Sequence, residues 1–136
     1  MCYNNCEIEI KSCIDGSVSV IRTEGKVVKT SSETCFVYDL DGDSCSFTLK
    51  GKSAVQKRSG EQNIELTFVK GENTDCFLED GDLTGSLPIF TYDLRFDSSG
   101  TDGSAMRVDV ITIDYSIGEQ KIKLEFSAEY NKKVKK

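Results

Sequence analysis

The sequence predicts an all-β protein, an antiparallel meander of roughly ten short strands with no helix. Three observations carry that prediction. Residues 90–97 read FTYDLRFD, so that Phe90, Tyr92, Leu94 and Phe96 alternate with Thr91, Asp93, Arg95 and Asp97. Successive side chains of a strand point to opposite faces, which makes this the pattern of a half-buried strand. The same alternation returns along the chain at short spacing. Between the alternating stretches stand turn pairs such as Asp15-Gly16, Asp41-Gly42 and Gly51-Lys52, where glycine takes positive φ at little cost. Closing such a meander removes the exposed edges of a long sheet, so a barrel is favoured over a sandwich.

Taken in order, residues 7–11 place Ile8 and Ile10 on one face, and Asp15-Gly16 turns the chain back through Val18, Val20, Arg22 and Glu24. Gly25 interrupts this strand and marks a bulge or a bend before Val27 and Val28. Residues 34–40 form the next strand, and Asp41-Gly42 leads into residues 44–50, with Cys45, Phe47 and Leu49 on one side. Residues 54–58 follow, then a strand marked by Ile64, Leu66 and Phe68, then a short one at 76–78. Residues 79–88 hold Gly81, Gly85 and the single proline, Pro88, and read as a loop or a bulged strand feeding residues 90–97. The segment 98–104, SSGTDGS, has the composition of a flexible connection. Met106, Val108 and Val110 begin a long strand whose apolar face is expected to change near Ile111 and Ile113. Ile122, Leu124, Phe126, Ala128 and Tyr130 define the last strand.

At 136 residues the chain is expected to form one domain, 1–136, ending in a disordered basic tail over 131–136. That tail carries four lysines, which leaves the first 130 residues with 13 basic against 23 acidic groups. An acidic body repels phosphate backbones, so nucleic acid is not expected as a partner. There is no histidine, which removes Ser-His and Cys-His nucleophile pairs and imidazole metal sites. Six cysteines stand at 2, 6, 13, 35, 45 and 76, with no C-x-x-C pair and no apolar run of signal-peptide length near the start. They are expected to be reduced thiols used as small apolar residues.

Several turns carry a family likeness. They are Thr23-Glu24-Gly25-Lys26, Thr48-Leu49-Lys50-Gly51-Lys52, Arg58-Ser59-Gly60, Phe68-Val69-Lys70-Gly71, Gly85-Ser86-Leu87 and Phe90-Thr91. In their order and approximate spacing, from about residue 7 to 130, the chain resembles the YwiB-like family of small bacterial proteins of unknown function. It departs from that pattern at Pro88 and Ile89, where the family carries a second glycine. The resemblance implies a calycin- or lipocalin-like β-barrel of about eight to ten strands, a cytoplasmic bacterial setting and no established activity. Fold alone supplies no function.

Candidate sites are few. Asp39-x-Asp41-Gly42-Asp43 has the glycine at the fourth position and Lys50 at the twelfth, which is a hairpin turn and not an EF-hand loop. The acids of residues 79–82 read as solvated turn residues. Arg22 and Glu24 share the parity of Val18 and Val20, so they either face the barrel interior or are turned to solvent by a bulge at Gly25. Charges turned inward need partners there. The aromatics Phe36, Phe47, Phe68, Phe90, Tyr92 and Phe96 are the candidates to line a ligand cavity or else to fill a dry core.

The expected function is a non-catalytic module binding a small apolar or amphipathic molecule, with Glu24, Arg58, Phe68, Phe90 and Tyr92 as candidate ligand-binding residues. The alternative is a protein-interaction or scaffold module with a filled barrel. No catalytic residue, metal site, cofactor or membrane contact is expected, and no pairing in the sequence sets an activating base beside a nucleophile.

Overall fold

A computed structural model describes residues 2–100 and 106–131, with side chains described over 5–82, 84–99 and 106–130. The expected basic tail beyond residue 131 and most of the flexible segment (101–104) lie outside the described residues. The alternation resolves into ten strands. They are β1 (Cys2–Ile14), β2 (Ser17–Lys29), β3 (Thr34–Leu40), β4 (Asp43–Lys50), β5 (Ser53–Ser59), β6 (Gln62–Val69), β7 (Asn73–Asp80), β8 (Leu83–Gly100), β9 (Met106–Ile117) and β10 (Gln120–Asn131). Each pairs antiparallel with its sequence neighbour and β1 pairs with β10, so the meander closes into a barrel. No helix among the described residues is long and apolar enough to cross a membrane.

The barrel has two unequal walls. β1, β9 and β10 run 12 or 13 residues, whereas β3 to β7 run 7 or 8. β2 and β8 belong to both walls. The first half of β2 pairs with β1 alone, and only residues 25–29 also pair with β3. β8 pairs with β7 up to Phe90 and with β9 from Ile89 onward. Strands that pass from one sheet to another do so at bends or bulges, and both devices are present. β2 turns the corner at Gly25, where a Cβ would fall 2.3 Å from the Val37 carbonyl oxygen and 2.9 Å from Tyr38 Cβ. β8 turns it at a register shift between Thr91 and Asp93, which leaves Tyr92 as the extra residue.

Residues directly opposite in a ladder share a face, so register fixes what points inward. Phe126 occupies the centre, its ring centroid 5.1 Å from that of Phe36, 4.6 Å from Phe47 and 5.8 Å from Tyr38. Phe68 packs edge-on against Tyr115 at 4.8 Å. The middle of the barrel is thus filled by aromatic rings, with Ile8, Ile89, Ile111 and Ile113 completing it.

Three expectations are corrected. In β2, Ile21 and Thr23 pair with the inward residues Ile10 and Ile8, so Val18, Val20, Arg22 and Glu24 all face outward and need no bulge to reach solvent. In β8, the shift at Tyr92 exchanges the faces: Ile89 and Thr91 point inward before it, Leu94 and Phe96 after it, and Phe90 and Tyr92 lie outside. The four apolar residues of 90–97 therefore do not form one face. In β9, Arg107, Asp109, Ile111, Ile113 and Tyr115 share the inner side throughout, so the strand never changes face; its apolar residues simply divide between two.

Candidate functional site

One end of the barrel carries the turns at 15–16, 41–42, 60–61, 81–82 and 118–119; the other carries the connections 30–33, 51–52 and 70–72. At the first end Arg58 points inward and its Nε donates to Asp43 Oδ2 at 2.7 Å. Asp43 follows the Asp41-Gly42 turn, in which Asp41 has φ 50° and Gly42 φ 87°, the paired positive φ values of a tight hairpin. Asp43 Oδ1 also accepts the Glu61 N–H at 3.3 Å. A Cβ at Gly60 would lie 1.8 Å from that same oxygen, so glycine is what admits the carboxylate. The guanidinium holds the Asp43 carboxyl below its usual range, and the carboxylate raises Arg58 in turn.

Around this ion pair the inner face is aliphatic. Ile64 is paired with Leu78, Leu78 with Gly85 and Cys76 with Leu87, so Leu78 and Leu87 face inward with the buried Cys76 and Ile89. They are nevertheless 43% and 52% exposed. A cleft of about 320 Å³ at this rim is lined from both faces, by Arg58, Ile64 and Leu78 of the inner face and by Lys57, Glu65 and Phe77 of the outer.

The other end is polar. Asp109 is fully buried on the inner face of β9. Its Oδ2 accepts the Tyr130 hydroxyl at 2.7 Å and lies 3.2 Å from Lys29 Nζ, and its Oδ1 accepts the Ser98 hydroxyl at 2.5 Å. Arg107 Nε donates to Ser98 Oγ at 2.9 Å. The lysine ammonium also stands 5.2 Å from the centre of the Tyr130 ring. Burial, with the Asp109 bond added, pushes the Tyr130 hydroxyl well above its ordinary value.

A third feature lies outside. A groove of about 890 Å³ runs over the Gly25 corner. Into it faces a rung of three exposed glutamates, since Glu7 is directly opposite both Glu129 and Glu24. Like charges directly opposite destabilise a sheet, and Lys26 and Lys57 supply the groove's basic side chains.

The structure does not bring the five sequence-predicted residues together. Glu24 is in the outer groove, Arg58 at the turn end, and Phe68 in the fully buried core. Phe90 and Tyr92 meet edge-on on the outer face of β8, centroids 4.8 Å apart. Arg58 lines the cleft at the turn end, and Tyr92 lines a separate outer cleft with Cys13 and Lys121. Asp43 and Asp109 were missed, although their signal was present: Asp43 is in phase with Cys45, Phe47 and Leu49, and Asp109 with Ile111 and Ile113. An acid in phase with an apolar face announces a buried partner. Cys6, Cys13, Cys35, Cys45 and Cys76 are free thiols; burial pushes Cys6 up to about 11 and raises Cys45 and Cys76 as well. Cys35 turns outward with Val37, and its sulfur accepts the Thr48 hydroxyl, so it is not a core filler.

No protein-family profile matches the chain, and no curated protein does. The fold is similar to that of the ywiB protein from Bacillus subtilis, with a TM-score of 0.73 and 19% identity over 95% of this chain and 93% of that one. The likeness to the YwiB-like family seen in the turns thus extends to the whole barrel.

Proposed function

We propose that the chain is a non-catalytic binding module that takes a small amphipathic molecule at the turn end of the barrel. One observation carries the reading: Leu78 and Leu87 are turned to the inside of the barrel and remain about half exposed. Inward-facing aliphatics left open to water are apolar area a ligand can cover, at roughly 25 cal/mol per Å². The aromatic plug keeps that ligand at the rim rather than in the centre. Its polar end meets Arg58, whose Nε is held by Asp43 and whose remaining N–H donors suit a hydrogen-bond-accepting head. The lack of histidine and the raised thiols of Cys6, Cys45 and Cys76 favour binding over catalysis. Free thiols suit a reducing compartment, and we place the module in the cytoplasm.

The test uses anilinonaphthalene sulfonate, an aromatic probe with an anionic head. It should bind saturably to the native protein, and Leu78→Asp and Leu87→Asp should each weaken it by about tenfold or more. Binding that neither substitution alters would remove the rim from consideration. A second reading, a protein-interaction module, has one observation of its own: Phe77, on the outer face of the same hairpin, is 55% exposed. Native mass spectrometry of protein drawn from its own cells separates the two, a small added mass favouring the first and a second polypeptide the second.

A further inference from the structure

Among the described residues, β8 beyond Thr91 is paired on one side only, with β9. Thr91 itself is engaged, since its carbonyl accepts the Gly71 N–H at 2.7 Å and its N–H reaches the Glu72 carbonyl at 3.4 Å. The free edge therefore runs from Tyr92 to Gly100, and its middle residue is Phe96. A free edge offers a row of unpaired backbone donors and acceptors to an added strand.

We infer that this edge pairs with the same edge of a second copy of the chain, antiparallel, with Phe96 on the two-fold axis. A two-fold axis perpendicular to a sheet sets one residue opposite itself, so few registers are possible. With Arg95 on the axis, Arg95 faces Arg95 and Asp93 faces Asp97; with Asp97 on the axis, Asp97 faces Asp97. Like charges directly opposite disfavour both. With Leu94 on the axis the ladder runs into Thr91, whose backbone is already bonded. With Phe96 on the axis, each Arg95 faces the partner's Asp97, Leu94 faces the partner's Ser98, and the ladder spans the whole free edge.

The side chains fit this arrangement. Asp97 is exposed and has no ion pair among the described residues. Arg95 is outward and well exposed, its Nε 2.9 Å from Asp93. Phe96 is on the inner face yet 38% exposed, because no strand lies beside it; the partner's Phe96 would cover it. The pairing is independent of the rim site, which lies on the far half of β8.

The experiment is sedimentation of the full chain over a wide concentration range. A monomer–dimer equilibrium is expected. Arg95→Asp and Asp97→Arg should each weaken it by about tenfold or more, since each sets like charges opposite. The double exchange, carrying both substitutions, should return the dissociation constant to within about threefold of native. Both side chains are exposed on the outer face, so the fold survives the changes, and circular dichroism verifies it. A chain that stays monomeric throughout, or a dimer indifferent to both charges, overturns the inference.

Discussion

Lys29 and Asp109 meet at 3.2 Å although their strands are not neighbours. β2 and β9 are separated in the barrel by β1 and β10, so the ion pair reaches across the polar end. Asp109 is the fully buried member, and the Lys29 side chain keeps about a third of its surface in water. That asymmetry decides which loss is worse. Lys29→Met strands a buried carboxylate and should cost about 3–5 kcal/mol in urea melts. Adding Asp109→Asn to it removes the uncompensated charge and should recover part of that loss. If the double variant is the less stable of the two, the charge was not what Lys29 compensated.

Two glycines in strands should respond very differently to alanine. At Gly25 the new Cβ would meet the Val37 backbone and the Tyr38 side chain, neither of which can yield without opening the β2–β3 ladder. Overpacking of this kind costs about 1–3 kcal/mol. At Gly85 a Cβ meets nothing within 4 Å, so Gly85→Ala should change stability by no more than about 0.5 kcal/mol. Equal effects at the two positions would show that β2 does not turn its corner on Gly25.

The bulge at Tyr92 can be tested by side chains on either side of it. Leu94 packs against the core and Tyr92 lies half exposed outside. Leu94→Ala should cost about 2 kcal/mol or slightly more, the low end for a core leucine because the residue is only partly buried. Tyr92→Ala should cost less than about 1 kcal/mol. Simple alternation puts the two on one face and predicts comparable losses.

That contrast also measures what could be read from the chain. Number of strands and antiparallel order followed from alternation and turn chemistry, because both are local; closure, a long-range feature, rested on the removal of sheet edges and on the family likeness. Facing was legible wherever a strand has one apolar parity, as in β10 and β4. It failed in β2 and β8, whose apolar residues occur at both parities. Val18 and Val20 are exposed valines, and Tyr92 is an inserted residue; only pairing with β1 and β9 shows either. The candidate ligand residues lie apart for the same reason, since Phe90 and Tyr92 were assigned by parity across a bulge. The inward placing of Arg58 is explained by its partner, Asp43, which lies in the adjacent strand and in phase with a clean apolar face.

Buried thiol and phenol groups set the alkaline limit of the fold. Burial lifts Cys6 from 9.0 to about 11, and Tyr38 and Tyr115 from 10.0 to about 12. These groups hold their protons longer in the folded chain than in the unfolded one. Their contribution is complete below the unfolded values and disappears as pH rises through the folded ones. Asp43 acts at the other extreme: its lowered carboxyl stabilises the fold above the ordinary carboxylate range, and that contribution is lost as pH falls through its folded value. Urea midpoints should therefore fall with rising pH from about 9. In Cys6→Ala the decline should be shallower between about 9 and 11, the interval between this thiol's ordinary value and its value in the fold. A wild-type midpoint that stays level to pH 11 would mean that these groups ionise as readily inside the barrel as in the open chain.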